Sequence, residues 1–229
     1  MKFAYFPGCK IPSYLPQYDT STRAVFDRLG IRLLADIEFN CCGYPARHRN
    51  FKASVLAAAR NMAIAKEHFV GIMTPCKCCY GHLRYARYWL DKNETLRYEI
   101  NTILAKEGLK WDKKTRVAHM LQVLAQDFGA DKIKSRVEKP LSNLKIAPHY
   151  GCHALRPSLV VKFDNPMAPT IFETLVDATG ATSVNWPLRL DCCGNPMWEK
   201  NNRLAVRLMN KKIRDAVSSK LDHFKLFMS

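Results

Sequence analysis

The chain has 229 residues, 48% hydrophobic and 24% charged, which suffices for one large domain or two small ones whose core needs no disulfide framework. No stretch approaches the roughly 18 to 20 uninterrupted apolar residues of a membrane span. The opening "MKFAYFPGCKIPSYLPQ" lacks an apolar h-region, so it reads as mature protein in the cytoplasm, at most peripheral to a membrane. A net charge of +16 fits a solvated basic face or docking to an acidic partner. With no RNP-type or helix-turn-helix pattern, nucleic acid is not the expected partner.

In chain order, "KFAYF" reads as a short strand that ends just before Gly8-Cys9. "TSTRAVFDRLG" reads as a helix with Thr or Ser as N-cap, Val25, Phe26 and Leu29 on its apolar side, and Gly30 as its stop. After "FNCCGYP", the Ala-rich "FKASVLAAARNMAIAKEHF" predicts a long helix, and "VGIM" a buried strand leading to Thr74-Pro75-Cys76. Residues 91–140 read as a charged helical insertion or linker without ligand candidates. "LKIAPHY" then predicts a strand before Gly151-Cys152, "APTIFETLVDATG" a helix, and a further helix follows "LDCCGNP".

This order repeats. The leading cysteines are offset by 143 (152 − 9) and the adjacent pairs by 151 (192 − 41), so two diverged copies differ by one insertion, which we place near "TSVNWPLRL". The fold expected is α/β: two pseudo-symmetric modules at 1–90 and 141–229, each a small, mainly parallel sheet with flanking helices. Cys9, Cys76 and Cys152 fall at the C-terminal ends of predicted strands, where such sheets gather ligands.

Nine cysteines in a reducing compartment call for a reason other than disulfides. They are Cys9, Cys41, Cys42, Cys76, Cys78, Cys79, Cys152, Cys192 and Cys193. Clustered thiolates select zinc, Cu(I) or iron–sulfur clusters. Buried free thiols, a four-ligand zinc site and a metal-free dithiol at Cys76 and Cys79 are open alternatives. Adjacent cysteines point in different directions, which suits neighbouring metal atoms better than one tetrahedral ion. Gly43 and Gly194 allow positive φ and remove a Cβ where an inorganic core would press on the backbone. Cys78, inside the CxxC, is expected to be a spare thiol near the cluster. His149 and His153 bracket Cys152: turn or supporting hydrogen bonds are the plain reading, and a proton donor at His153 the bolder one. His48 and His82 are weaker candidates, while Trp186 and Trp198 are expected to cover the second pair.

The ordered set Cys9, Cys41-Cys42-Gly43 and Cys76-x-x-Cys79, repeated as "PHYGCHALRP" and "DCCG", resembles the CCG-domain proteins over nearly the whole chain. The B subunit of heterodisulfide reductase and its relatives in sulfur metabolism are the members it is most similar to. The resemblance implies a noncubane [4Fe-4S] cluster held by Cys9, Cys41, Cys42, Cys76 and Cys79, and a second, incomplete site at Cys152, Cys192 and Cys193. It also implies a ferredoxin-like partner with cubane [4Fe-4S] clusters, a flavin-bearing partner, and a thiol/disulfide or sulfur-carrier substrate. The second copy lacks a CxxC. The step from Cys42 to Cys76, repeated from Cys193, lands at 227 in "HFKLFMS", which looks like the strand before the first CxxC. Either the second site is a degenerate three-thiol set or the sequence is cut short there; the second is the reading we take.

Overall fold

The computed structural model describes residues 1–68, 70–198, 200–219 and, as backbone, 226–228. The chain divides into two compact units, Met1–Met120 and Leu121–Ser229.

In the first unit, β1 (Lys2–Tyr5) runs parallel to β2 (Arg32–Leu34) and β3 (Gly71–Thr74), and β4 (Val117–His119) adds to β3. The sheet order is β2-β1-β3-β4. A parallel strand buried on both faces reads as an unbroken apolar run, as Phe3, Ala4 and Tyr5 do here. After β1 come α1 (Lys10–Tyr14) and α2 (Pro16–Arg28); α3 (Phe51–Glu67) links β2 to β3, and α4 (Lys77–Lys92) and α5 (Glu94–Leu104) follow β3. The small face of α3, with Val55, Ala58, Ala59, Met62 and Ala63, is buried, and α4 and α5 pack on this helix.

Helix α2 starts earlier than its Thr and Ser residues suggest, with Pro16 in its first turn, where the absent N–H costs nothing. Its inward face is Thr22, Phe26 and the half-buried Leu29 at i, i+4 and i+7 spacing; Val25 lies off that face and is exposed. The stretch 91–140 is divided between the units: α5 packs on α3 and α4, β4 completes the first sheet, and Leu121 onward belongs to the second unit.

The second unit starts in the short α6 (Met120–Gln122), continues through a π-helical stretch, Val123–Gly129, and α7 (Ala130–Lys134), and reaches β5 (Lys145–His149). Next come α8 (Ser158–Val161), α9 (Ile171–Ala178), β6 (Thr182–Ser183), α10 (Asn202–Ser218) and β7 (Leu226–Met228). The sheet order is β6-β5-β7, all parallel. Thus β7 lies beside β5 as β3 lies beside β1, which gives the tail the strand expected of it. One cluster of the core is Ile146, Val176 and Ala181, another Ala147, Trp186 and Ala216.

The repeat matches β1, α2, β2, α3 and β3 with β5, α9, β6, α10 and β7, and this moves the insertion. Gly30, after α2, and Gly180, after α9, both adopt positive φ and stand 150 apart (180 − 30). The extra residues therefore precede α9, in the segment around α8, and "TSVNWPLRL" is not where the copies chiefly differ. Among the described residues no helix is long and apolar enough to cross a membrane.

Candidate metal centre

The backbone delivers the first group of thiols to one end of the sheet. Cys9 follows β1 and stands at the start of α1, and Cys76 follows β3 as the N-cap of α4, with Cys78 and Cys79 in that helix's first turn. The Cys76 amide donates to Thr74 Oγ1 at 3.2 Å, which fixes the strand-to-helix corner. Cys41 and Cys42 come from the loop after β2. Asn61 on α3 pins that loop: its Nδ2 donates to the Asn40 carbonyl at 3.0 Å and its Oδ1 accepts the Asn40 amide at 3.0 Å.

The thiols are close enough to shift one another's titration, Cys41 with Cys42, Cys42 with Cys79, Cys79 with Cys76 and Cys76 with Cys78. Hydrogen bonds from Cys41 and Cys79, helped by the Tyr44 amide, bring the Cys42 thiol down to about 4. Those from Cys78 and Cys79, with the amides of the α4 first turn, bring Cys76 down as well. Cys41, Cys78 and Cys79, on the other side of these interactions, are pushed up. Cys9 is exposed and acts electrostatically on Cys41. Gly8 has φ +74°, and a Cβ there would meet Cys79 Sγ at 2.8 Å, so the β1 loop touches the thiol row directly.

The glycines of the two pairs behave alike, and the packing gives them a different reason from the inorganic core expected above. Gly43 has φ +91° and Gly194 φ +86°, so both occupy the left-handed region. What a Cβ would strike is the following helix: Ser54 O at 2.3 Å in the first module and Ala205 O at 2.5 Å in the second. The glycines let α3 and α10 lie against the cysteine loops.

Two histidines border the first group. His82 is buried, its Nε2 donates to the Ser54 carbonyl at 3.2 Å, and burial lowers its pKa. His119, at the end of β4, donates from Nε2 to the Pro75 carbonyl at 3.1 Å beside Cys76, and burial brings it down to about 4. Sequence reasoning misses His119 because it lies in the stretch taken for a linker; recognising "RVAH" as a strand would put it at the same sheet end as the cysteines. His48 is exposed.

In the second module Cys152 follows β5, and Cys192-Cys193 ends the loop after β6, with the Gly194 amide donating to Cys192 Sγ at 3.4 Å. His149 is fully buried and donates from Nδ1 to the Arg189 carbonyl at 3.0 Å, a supporting role. His153 is half-buried next to Cys152. Tyr150 donates to Glu173, accepts the Phe172 amide at 2.8 Å, and Glu173 takes Arg189 at 2.7 Å. This brace ties the Cys152 loop to the stretch of chain that enters Cys192. Trp186 is 1% exposed and donates to the Pro148 carbonyl at 2.8 Å, so it is a core residue under the loop, not a cover; Trp198 is exposed.

Among the described residues no three His, Cys, Asp or Glu side chains are arranged to hold one metal ion. The first group instead offers an extended row of soft donors, two of which, Cys42 and Cys76, have their pKa lowered by neighbouring thiols and amides. Metal binding requires deprotonated thiols, and the donor set fits an iron–sulfur cluster.

The family model of the cysteine-rich CCG domain matches residues 3–84 and 146–223, the two modules. The chain is 39% identical over 194 residues to the 8-methylmenaquinol:fumarate reductase membrane anchor subunit of Wolinella succinogenes, covering 84% of this chain and 67% of that one. It is 33% identical over 195 residues to the B subunit of the ferredoxin:CoB-CoM heterodisulfide reductase of Methanosarcina mazei, covering 84% of this chain and 65% of that one. A lactate utilization protein A 2 from Bacillus cereus is 25% identical, covering 93% of this chain and 81% of that one. The chain thus spans about two thirds of the length of the first two relatives. A solved structure of a hypothetical protein from Helicobacter pylori shares the fold, with TM-score 0.69 at 14% identity over 95% of this chain and 39% of that one. With both modules matched and a third of the aligned residues shared with the B subunit of a heterodisulfide reductase, the chain belongs to the cysteine-rich CCG-domain family.

Proposed function

We propose that this chain is an iron–sulfur redox subunit of a heterodisulfide-reductase-type complex, acting on the S–S bonds of thiol/disulfide or sulfane-sulfur substrates. The observation that carries the reading is the gathering of the thiols of Cys9, Cys41, Cys42, Cys76 and Cys79 at the strand ends of the first module. In this reading Cys9, Cys41, Cys42, Cys76 and Cys79 hold a noncubane [4Fe-4S] cluster, and Cys152, Cys192 and Cys193 belong to a second site. When bound, such a cluster supplies one-electron chemistry and soft iron with an affinity for sulfur.

The chain's own residues supply the rest. The amides of the α4 first turn and of Tyr44 hold negative charge on Cys76 and Cys42. Gly8 lets the β1 loop close on Cys79, and buried His119 keeps the corner at Pro75 in place. In this reading His153, the residue after Cys152, hands a proton to a product thiolate. Partners are a ferredoxin-like protein with cubane clusters and a flavoprotein, in the cytoplasm; the net charge of +16 suits docking to an acidic surface.

A second reading has its own support: the relative at 39% identity belongs to a fumarate reductase, which favours a CCG protein that passes electrons between a quinol and a dicarboxylate enzyme. One experiment addresses both. The chain is purified anaerobically with its partners, iron is counted, and EPR is recorded after thiol or quinol addition. About four irons or more per chain and a paramagnetic species induced by thiol support the sulfur reading. Iron with no response to thiol but oxidation by fumarate supports the second, and iron well below about four with neither response overturns both.

A further inference from the structure

Helices α3 and α10 are the same element of the repeat. Each opens on an asparagine N-cap, Asn50 accepting from the Ala53 amide and Asn201 from the Leu204 amide, 151 residues apart (201 − 50). That alignment pairs Asn61 with Lys212 and Asn40 with Asp191. In the first module Asn61 is fully buried and donates to the carbonyls of Asn40, at 3.0 Å, and Cys41, at 3.4 Å. In the second, Lys212 is 3% exposed, and its ammonium donates to the carbonyls of Leu188 and, at 2.8 Å, Asp191. It also lies 4.9 Å from the centre of the Trp186 ring. One turn on, Asp215 accepts the Leu188 amide at 3.0 Å, where the first module has Ile64.

A lysine buried in a core is among the rarest of placements, because taking the ammonium out of water is expensive unless its hydrogen bonds are made. Here they are made to the carbonyls that lead into Cys192. Where the first cysteine loop is pinned by a neutral amide, the second is pinned by an ammonium that holds two of its carbonyls, with the Asp215 carboxylate one turn on taking the Leu188 amide. We infer that Lys212 is a positioning residue, the ammonium latch of the second Cys-Cys-Gly loop, which orients Cys192 and Cys193 and places a buried positive charge behind them where the first module has the neutral amide of Asn61.

The test uses the full chain. Lys212→Met removes the donors, and Lys212→Arg restores a cation that hydrogen-bonds carbonyls. Hydrogen exchange on the metal-free chain reads the latch: the hydrogen-bonded amides of Leu188, Asp191 and Gly194 exchange at least about tenfold faster in the Met variant, the weight of a lost charge-assisted hydrogen bond, while the Asn40 amide of the first loop is unchanged. The Arg variant returns the slow rate. Unchanged exchange in the Met variant, or equal acceleration in both modules, overturns the latch.

A second arm rests on the second cluster proposed above. The midpoint potential of the iron–sulfur signal that a Cys192→Ala/Cys193→Ala variant removes shifts to more negative values in Lys212→Met and stays in place in Lys212→Arg. An unshifted potential overturns the claim about charge. If the wild type holds no more iron than the double cysteine variant, the second-cluster reading fails and the charge claim with it, while the exchange arm still decides the latch.

Discussion

The two modules share a backbone and differ in what surrounds it. Gly43 and Gly194, the asparagine caps, and the parallel pairing of the central strand with both its neighbours recur in the two modules. The faces of the helices behind the cysteine loops do not. On α3, Val55 and Ala58 are 0% exposed under α4 and α5; on α10 their counterparts Val206 and Met209 are 38% and 37% exposed. The loops are held differently too, by an asparagine in the first module, and by Lys212 and the Tyr150–Glu173–Arg189 brace in the second. Local geometry in this repeat is written by glycine and cap chemistry, which tolerates little change. The anchoring of each loop is free to vary, and the change from Asn61 to Lys212 distinguishes two sites built on one frame.

The strongest way to break the shared frame is Gly43→Ala or Gly194→Ala. Each places a Cβ in the left-handed region, at about 1–2 kcal/mol, and drives it against a helix carbonyl, which adds about 1–3 kcal/mol as the helix shifts. Gly43→Ala is expected to cost more, because its Cβ comes closer, 2.3 Å against 2.5 Å, and α3 is confined on its far side while α10 can give way. Urea unfolding, with hydrogen exchange read separately in each module, checks the order. Equal small losses would mean that the helices do not press on the loops.

A milder perturbation sharpens the difference in burial. Val55→Ala is expected to lose about 1–2 kcal/mol, the removal of buried methyl groups in a packed interface. Val206→Ala, at the same place in the repeat, stays within about 0.5 kcal/mol, as exposed substitutions do. The same unfolding measurement on both variants decides it. A loss at Val206 equal to that at Val55 would mean that the α10 face is covered in solution.

Much of this is legible in the residues. The cysteine order shows the repeat, and "KFAYF", "VGIM" and "LKIAPHY" are strands because their apolar runs are short and end at glycine or proline corners. What is not legible depends on chain returning from far away. The atom that crowds Gly43 belongs to Ser54, eleven residues on, and only the packing of α3 reveals it. The insertion is easily misplaced because between Cys152 and Cys192 a single feature, Gly180, marks the register, and its pairing with Gly30 is plain only once both helices are seen. The three-residue strand β4 carries too little pattern to stand out from a charged stretch, and His119 is lost with it. Lys212 has a signal: it lies eleven residues after the cap Asn201, as Asn61 does after Asn50.

Those caps offer the smallest and cleanest test of the repeat. Each asparagine side chain takes up one of the amides that a helix start leaves without a partner, Ala53 at 2.9 Å and Leu204 at 3.0 Å. Both bonds are at the surface and involve no cysteine. Asn50→Ala and Asn201→Ala should therefore each lose about 1 kcal/mol, with glycine in place of alanine losing only a few tenths. The two losses should match, since a cap depends on its own first turn and not on what covers the helix beyond it. Thermal unfolding of the two variants supplies the comparison. A cap that matters in one module alone would show that the helices behind the cysteine loops are not held by the same local chemistry, and would remove the alignment that pairs Asn61 with Lys212.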